Sequence, residues 1–164
     1  MRTLIIADNQ DITRAGLRTL FARNPAVGAV CEARSKSDLI RNLRLAHDAV
    51  VILDYAWFDF NRVEELCILR DRYPCSDWML FSETLAGSLL HCSLYGERPF
   101  GVVLKRCGSD EIEAAFEAVI QGRRYVCESI RDTPTHPVSG TDGMSADTVS
   151  SEGLHPVVSM PSVH

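Results

Sequence analysis

The sequence predicts an α/β fold: a doubly wound parallel sheet of five strands with helices on both faces. Three observations lead there. Ala49-Val50-Val51-Ile52-Leu53 is an unbroken apolar run, the mark of a strand covered on both sides. Such runs alternate five times with amphipathic stretches of helix length, which calls for parallel strands and right-handed crossovers. The alternation occupies residues 1–130, the span of one domain.

Each element has its own signal. Thr3-Leu4-Ile5-Ile6-Ala7 is the first strand and ends at Asp8-Asn9. Asp11 is placed to cap a first helix running from Ile12 to about Ala22, with Ile12, Ala15, Leu17, Leu20 and Phe21 as its apolar positions, and Asn24-Pro25 stops it. Ala26 to Glu32 is the second strand. Ser35-Lys36-Ser37-Asp38 opens a second helix that buries Leu39, Ile40, Leu43 and Leu45. The third strand, from Ala49, ends at Asp54. Asn61 can cap a third helix carrying Val63, Leu66, Cys67 and Leu69, which Tyr73-Pro74 ends. Trp78-Met79-Leu80-Phe81 is a fourth strand, followed by Ser82-Glu83-Thr84. A fourth helix runs through Leu85, Leu89, Leu90 and Leu94 to Gly96. Phe100-Gly101-Val102-Val103-Leu104 is a fifth strand and ends in Lys105. Ser109 begins a fifth helix, with Asp110 and Glu111 set favourably against the helix dipole and Ile112, Ala115, Phe116, Val119 and Ile120 as its stripe. Gly122 ends it. Five strands and five helices suit a flavodoxin-like sheet in the order 2-1-3-4-5.

Composition narrows the function. The net charge of −5 has the wrong sign for a nucleic-acid surface spread over the chain. No apolar run approaches the ~20 residues that cross a membrane, and Asp8 and Asp11 interrupt the N-terminal run too early for a signal peptide. A cytoplasmic protein is expected. The six cysteines show no C-x₂-C spacing and read as scattered small hydrophobes. From Arg131 the composition shifts: residues 131–164 hold four of the seven prolines and six serines, with a net charge of −3. They read as a linker or tail without a fold of its own. His136, His155 and His164 read as linker histidines.

The strand ends belong together. In the 2-1-3-4-5 order, Asp8-Asn9, Asp54, Ser82 and Lys105 converge on the carboxyl rim, where open α/β sheets bind ligands. A carboxylate there can attack phosphorus. Lys105 and Ser82 supply a cation and a hydroxyl for phosphoryl oxygens. Asp8, Asn9 and Asp54, with the backbone carbonyl of Ala56, offer oxygen ligands for Mg²⁺. Asp54 can equally serve only as the cap of the following turn. The chain has no glycine in Asp8-Asn9-Gln10-Asp11, which argues against a nucleotide- or flavin-binding enzyme.

On Ile5-Ile6-Ala7-Asp8-Asn9-Gln10, Val51-Ile52-Leu53-Asp54, Phe81-Ser82 and Gly101-Val102-Val103-Leu104-Lys105, residues 1–130 resemble the receiver domain of a bacterial two-component response regulator. Asp11-Ile12-Thr13-Arg14-Ala15-Gly16-Leu17 and the stretch from Asp110 to Val126 are similar to the NarL/LuxR-type subgroup. The resemblance implies that Asp54 accepts a phosphoryl group from a sensor histidine kinase, that Ser82 and Lys105 then re-bond to it, and that the response feeds a transcription-regulating output. It implies a homodimer, and no enzymatic activity beyond self-phosphorylation and dephosphorylation. The DNA-binding helix-turn-helix of the subgroup has no counterpart after Arg131, so no nucleic-acid contact is expected from these residues. Three positions depart from the family pattern. Asn9 replaces an acid and should weaken Mg²⁺ binding. Glu83 puts a bulky anion at the pocket mouth. Val102 occupies the position of an aromatic switch residue. These departures support an alternative, a degenerate receiver that works by dimerisation or protein interaction without phosphorylation. Trp57, Phe58 and Phe60 either serve such a contact or pack over the start of the third helix.

Overall fold

The computed structural model describes residues 1–131 apart from Gly96 and Pro99, and leaves aside the side chains of Trp57 and residues 92–95. The linker reading therefore falls, from residue 132, outside the described residues, as does the role of Gly96. In chain order the elements are β1 (Arg2–Ala7), α1 (Asp11–Phe21), β2 (Val27–Ala33), α2 (Lys36–Leu45), β3 (Val50–Leu53), a 3₁₀ turn (Tyr55–Trp57), α3 (Val63–Arg72), β4 (Asp77–Ser82), α4 (Gly87–Tyr95), β5 (Gly101–Leu104), α5 (Ser109–Ile120), β6 (Tyr125–Val126) and α6 (Glu128–Arg131). All strand pairs are parallel, in the order β2-β1-β3-β4-β5-β6. The predicted 2-1-3-4-5 sheet is present. The short edge strand β6 was not predicted, because two residues carry no periodicity.

Alternation along the strands divides the core in two. Val51, Leu53, Leu80 and Val102 pack with Leu39, Leu43, Leu66 and Leu89 of α2, α3 and α4. Val50, Ile52, Met79 and Val103 pack with Leu17, Phe21, Phe116 and Val119 of α1 and α5. β3 is buried along its whole length, as its unbroken apolar run requires.

Helix boundaries follow local chemistry. Ser35 caps α2 by accepting from the Asp38 N–H at 3.1 Å. Gly122, at φ +70, closes α5: its own N–H reaches the Val119 carbonyl at 2.9 Å, and the Arg123 N–H reaches Ala118 at 2.9 Å. This is the left-handed terminus that glycine adopts without a Cβ penalty. Two predicted caps are corrected. Gln10 stands at the α1 cap position without a side-chain cap bond, and Asp11 lies inside the first turn, paired with Arg14. Arg62, not Asn61, is the α3 cap residue, again without a side-chain bond.

The buried stripe of α1 also differs from expectation. Ile12 is 82% exposed and Ala15 is exposed, whereas Arg14 is buried with Leu17 and Phe21. Arg14, Leu17 and Phe21 lie at i, i+3 and i+7, one helix face. The Arg14 guanidinium is held by polar groups at the sheet edge, so a charge occupies a core-facing position. In α2, Leu45 is 80% exposed because the helix ends there.

The seam between β5 and α5 depends on Gly101. A Cβ there would lie 2.3 Å from Val119 Cγ2, and a valine on a helix has little rotamer freedom to move away. Gly101→Ala is expected to cost roughly 1–3 kcal/mol in urea unfolding. Val119→Ala in the same chain should recover part of that loss, and a double variant no more stable than Gly101→Ala alone would contradict the seam.

Candidate functional site

Register brings the site together. Ala7 pairs with Leu53 and Leu53 with Leu80, while Ser82 pairs with Leu104. Two bonds extend the ladders by one residue: Asp54 N–H to the Ala7 carbonyl at 2.9 Å, and Lys105 N–H to the Ser82 carbonyl at 3.0 Å. Asp8, Asp54, Ser82 and Lys105 therefore leave the sheet side by side at its carboxyl rim.

The side chains interlock. Lys105 Nζ lies 2.7 Å from Asp54 Oδ2 and 2.8 Å from Asp8 Oδ2, and donates to Gln10 Oε1 at 2.8 Å. Neither Oδ2 accepts a hydrogen bond from any other described group, so the two buried carboxylates share one ammonium and keep a net charge of −1. Ser82 Oγ donates to Asp54 Oδ1 at 2.8 Å, and the Ala56 N–H donates to the same oxygen at 3.1 Å. Asp54 therefore caps the 3₁₀ turn with the same oxygen that accepts from Ser82. Asp8 Oδ1 accepts from the Gln10 N–H at 2.7 Å.

Burial alone would pull the Lys105 pKa down. Its hydrogen bonds to Asp54 and Asp8, with their charges, outweigh burial and hold the ammonium above the usual lysine value. The side chain is 11% exposed and stays charged through the physiological range.

Arg14 supports the pocket from behind. Its Nη1 donates to the Asp8 carbonyl at 2.6 Å and its Nε to Glu32 Oε2 at 3.1 Å, tying the end of β1 to β2. The available signal was its spacing on the Leu17/Phe21 face, which an apolar pattern search passes over.

The other predicted positions are more peripheral. Asn9 and Ala56 are exposed beside the pocket, and Glu83 is exposed beyond Ser82. Val102 is fully buried among Leu89 and Phe100, with no ring to rotate. Phe58 is buried and Phe60 packs against the same cluster, stacked on Tyr55 at 5.8 Å. Packing, not an exposed contact, is what these two rings do. The donor set suits a hard divalent cation, because both buried carboxylates present oxygen and share a single compensating charge.

The cysteines are less uniform than their spacing suggests. Only Cys127 of the described ones is buried, and Cys75 is exposed. Cys107 and Cys127, twenty positions apart, meet beside Glu111. Burial, then the hydrogen bond to Glu111, pushes the Cys107 thiol up to about 12.

Lys105→Met would leave Asp8 and Asp54 facing each other without a cation. It should cost roughly 3–5 kcal/mol at neutral pH. The loss should shrink on acidification, when a proton can take the place of the ammonium. In the wild type, the raised Lys105 pKa makes its contribution full below the usual lysine value and lost as pH rises through the folded value. Urea unfolding of both proteins at acidic, neutral and alkaline pH checks this; equal stability at neutral pH would contradict it.

No protein-family model and no curated protein sequence matches the chain. Solved structures do. The isolated receiver domain of RcsB from Salmonella enterica serovar Typhimurium, in the presence of the phosphomimetic BeF₃⁻, superposes with a TM-score of 0.67 at 23% identity, covering 79% of this chain and 96% of that one. A longer chain of the RcsB response regulator from Salmonella typhimurium gives 0.65 at 23% identity, covering 80% of this chain and 65% of that one. A LuxR-family two-component response regulator from Aurantimonas sp. SI85-9A1 gives 0.65 at 23% identity, covering 79% and 91%. The chain thus spans about two thirds of the longer RcsB chain and nearly all of its isolated receiver domain. Residues 1–131 have the fold of a response-regulator receiver domain.

Proposed function

We propose that the chain is a signalling receiver that accepts a phosphoryl group on Asp54 from the phosphohistidine of a sensor histidine kinase. The observation that carries this reading is the bonded group of Asp8, Asp54, Ser82 and Lys105 at the carboxyl rim. A carboxylate oxygen of Asp54 attacks phosphorus, and the bond from phosphorus to the donor imidazole nitrogen breaks with its electron pair left on the ring. Ser82 and Lys105, which hold Asp54 in the resting state, then donate to the phosphoryl oxygens. Asp54 Oδ1 is held by Ser82 and the Ala56 N–H while Oδ2 meets only Lys105, so Oδ2 is the oxygen with a lone pair to spare for attack, and Ser82 and Lys105 exchange partners as the group arrives. That exchange is the switch. Asp8, Asn9, Asp54 and the Ala56 carbonyl would hold Mg²⁺, weakly because Asn9 adds no charge. When bound, Mg²⁺ neutralises charge on the phosphoryl oxygens.

In this reading residues 1–130 form the receiver and residues 131–164 a linker or tail. The output regulates transcription, and no nucleic-acid contact is assigned to these residues. The likeness to RcsB, a response regulator studied for its DNA interaction, supports the assignment. The described residues contain no helix long and apolar enough to cross a membrane.

A second reading has its own observation. The Asp54 side chain is 0% exposed, closed in by Lys105 and Ser82. A receiver kept in this state would act by interaction alone, without phosphoryl chemistry. Intact-mass measurement with a small phosphodonor and millimolar Mg²⁺ separates the two. The expected result is a gain of one phosphoryl group in the wild type and none in Asp54→Ala. No gain in either protein would leave the interaction module.

Both readings include a homodimer. The exposed Ile12 opens onto an apolar groove between α1 and α5, lined by Leu17, Leu20, Phe81 and Ile112. Ile12→Glu is expected to shift sedimentation from dimer towards monomer; an unchanged dimer would place the contact elsewhere.

A further inference from the structure

Cys107, Glu111 and Cys127 take no part in the Asp54 pocket. They come from three places: the loop after β5, the first turn of α5, and the residue between β6 and α6. Their two Sγ atoms and a carboxylate oxygen all lie within 4.8 Å of one another. Among the described residues this is the one such group of three metal-ligating side chains. The backbone holds each in place. The Cys107 N–H donates to the Leu104 carbonyl at 2.9 Å, and the Cys127 N–H to the Val102 carbonyl at 2.9 Å. Glu111 Oε1 accepts from the Glu128 N–H at 2.8 Å, an outer hydrogen bond of the kind that orients metal-binding carboxylates. Cys127 is fully buried while Cys107 and Glu111 are partly exposed, so an ion can enter from one side.

We propose that Cys107, Glu111 and Cys127 form a binding site for a thiophilic divalent cation of the Zn²⁺ class. Two thiolates and a carboxylate supply three corners of a tetrahedron, and water from the exposed side supplies the fourth. Zinc–sulfur bonds of about 2.3 Å bring the ligand atoms of such a site roughly 3.5–4 Å apart, a small contraction of the group as it stands. Binding converts two thiols to thiolates and releases two protons to solvent; no oxidant is involved. The ligand types separate this site from the Asp54 pocket, whose oxygen-only donors suit Mg²⁺. Cys107 lies two residues beyond Lys105, so the bound cation ties the loop that carries Lys105 to β6 and α6.

The test uses the full chain, fully reduced, with Co²⁺ as a spectroscopic substitute for Zn²⁺. One equivalent of Co²⁺ is expected to produce a thiolate-to-cobalt charge-transfer band that Zn²⁺ displaces. The band should be lost in Cys107→Ser and in Cys127→Ser, and retained in Cys75→Ser and Asp54→Asn. Cys127→Ser puts a hydroxyl in the core, so Glu111→Gln, at a partly exposed position, provides a variant whose folding is not at stake. Its Zn²⁺ affinity should fall about tenfold or more. No band in the reduced wild type, a band that survives both cysteine substitutions, or an unchanged affinity in Glu111→Gln would overturn the site.

Discussion

One ammonium between two buried carboxylates is the interaction on which the carboxyl rim depends. Asp8 and Asp54 are 2% and 1% exposed, and each would be costly to bury as an unpaired charge. Lys105 reaches both at hydrogen-bond distance. The register sets this up: Leu53 aligns with Leu80 and Leu80 with Val102, so Lys105 leaves β5 two residues beyond the level of Asp8 and Asp54 and its long side chain reaches back to both. The charge network therefore records the sheet order: shift one strand by a residue and Asp8, Asp54 or Lys105 would face the core or solvent.

In the proposed function the same interaction would connect stability to signalling. Ser82 and the Ala56 N–H hold one Asp54 oxygen and Lys105 the other. Any ligand or modification that makes Lys105 or Ser82 choose another partner changes the balance of the whole rim. Val102, buried and without a ring, offers no aromatic lever to carry that change. What joins the two strand ends directly is the bond from Lys105 N–H to the Ser82 carbonyl.

Much of this was legible in the sequence, because the strongest signals were physical necessities. The five predicted strands are apolar runs, and β3 must be covered on both faces. Each rim residue directly follows such a run, so the topology alone brings Asp8, Asp54, Ser82 and Lys105 together. What was not legible depended on tertiary partners. Arg14 reads as a surface charge until the Asp8 carbonyl and Glu32 are seen to hold it. Asp11 has the right type for a cap, but its pairing with Arg14 places it within the first turn. β6 is too short to show a period. Cys107 and Cys127 are brought together only by the pairing of β5 with β6, which no spacing rule announces.

The most direct measurement of the central interaction is the pH titration of the Lys105 side-chain nitrogen by ¹⁵N NMR in selectively labelled protein. The expected result is a midpoint above the usual lysine value in the wild type, falling in Asp54→Asn as one of its two counter-charges is removed. A wild-type midpoint at or below the usual value, or one unmoved by Asp54→Asn, would contradict the claim that this ammonium holds the two carboxylates together.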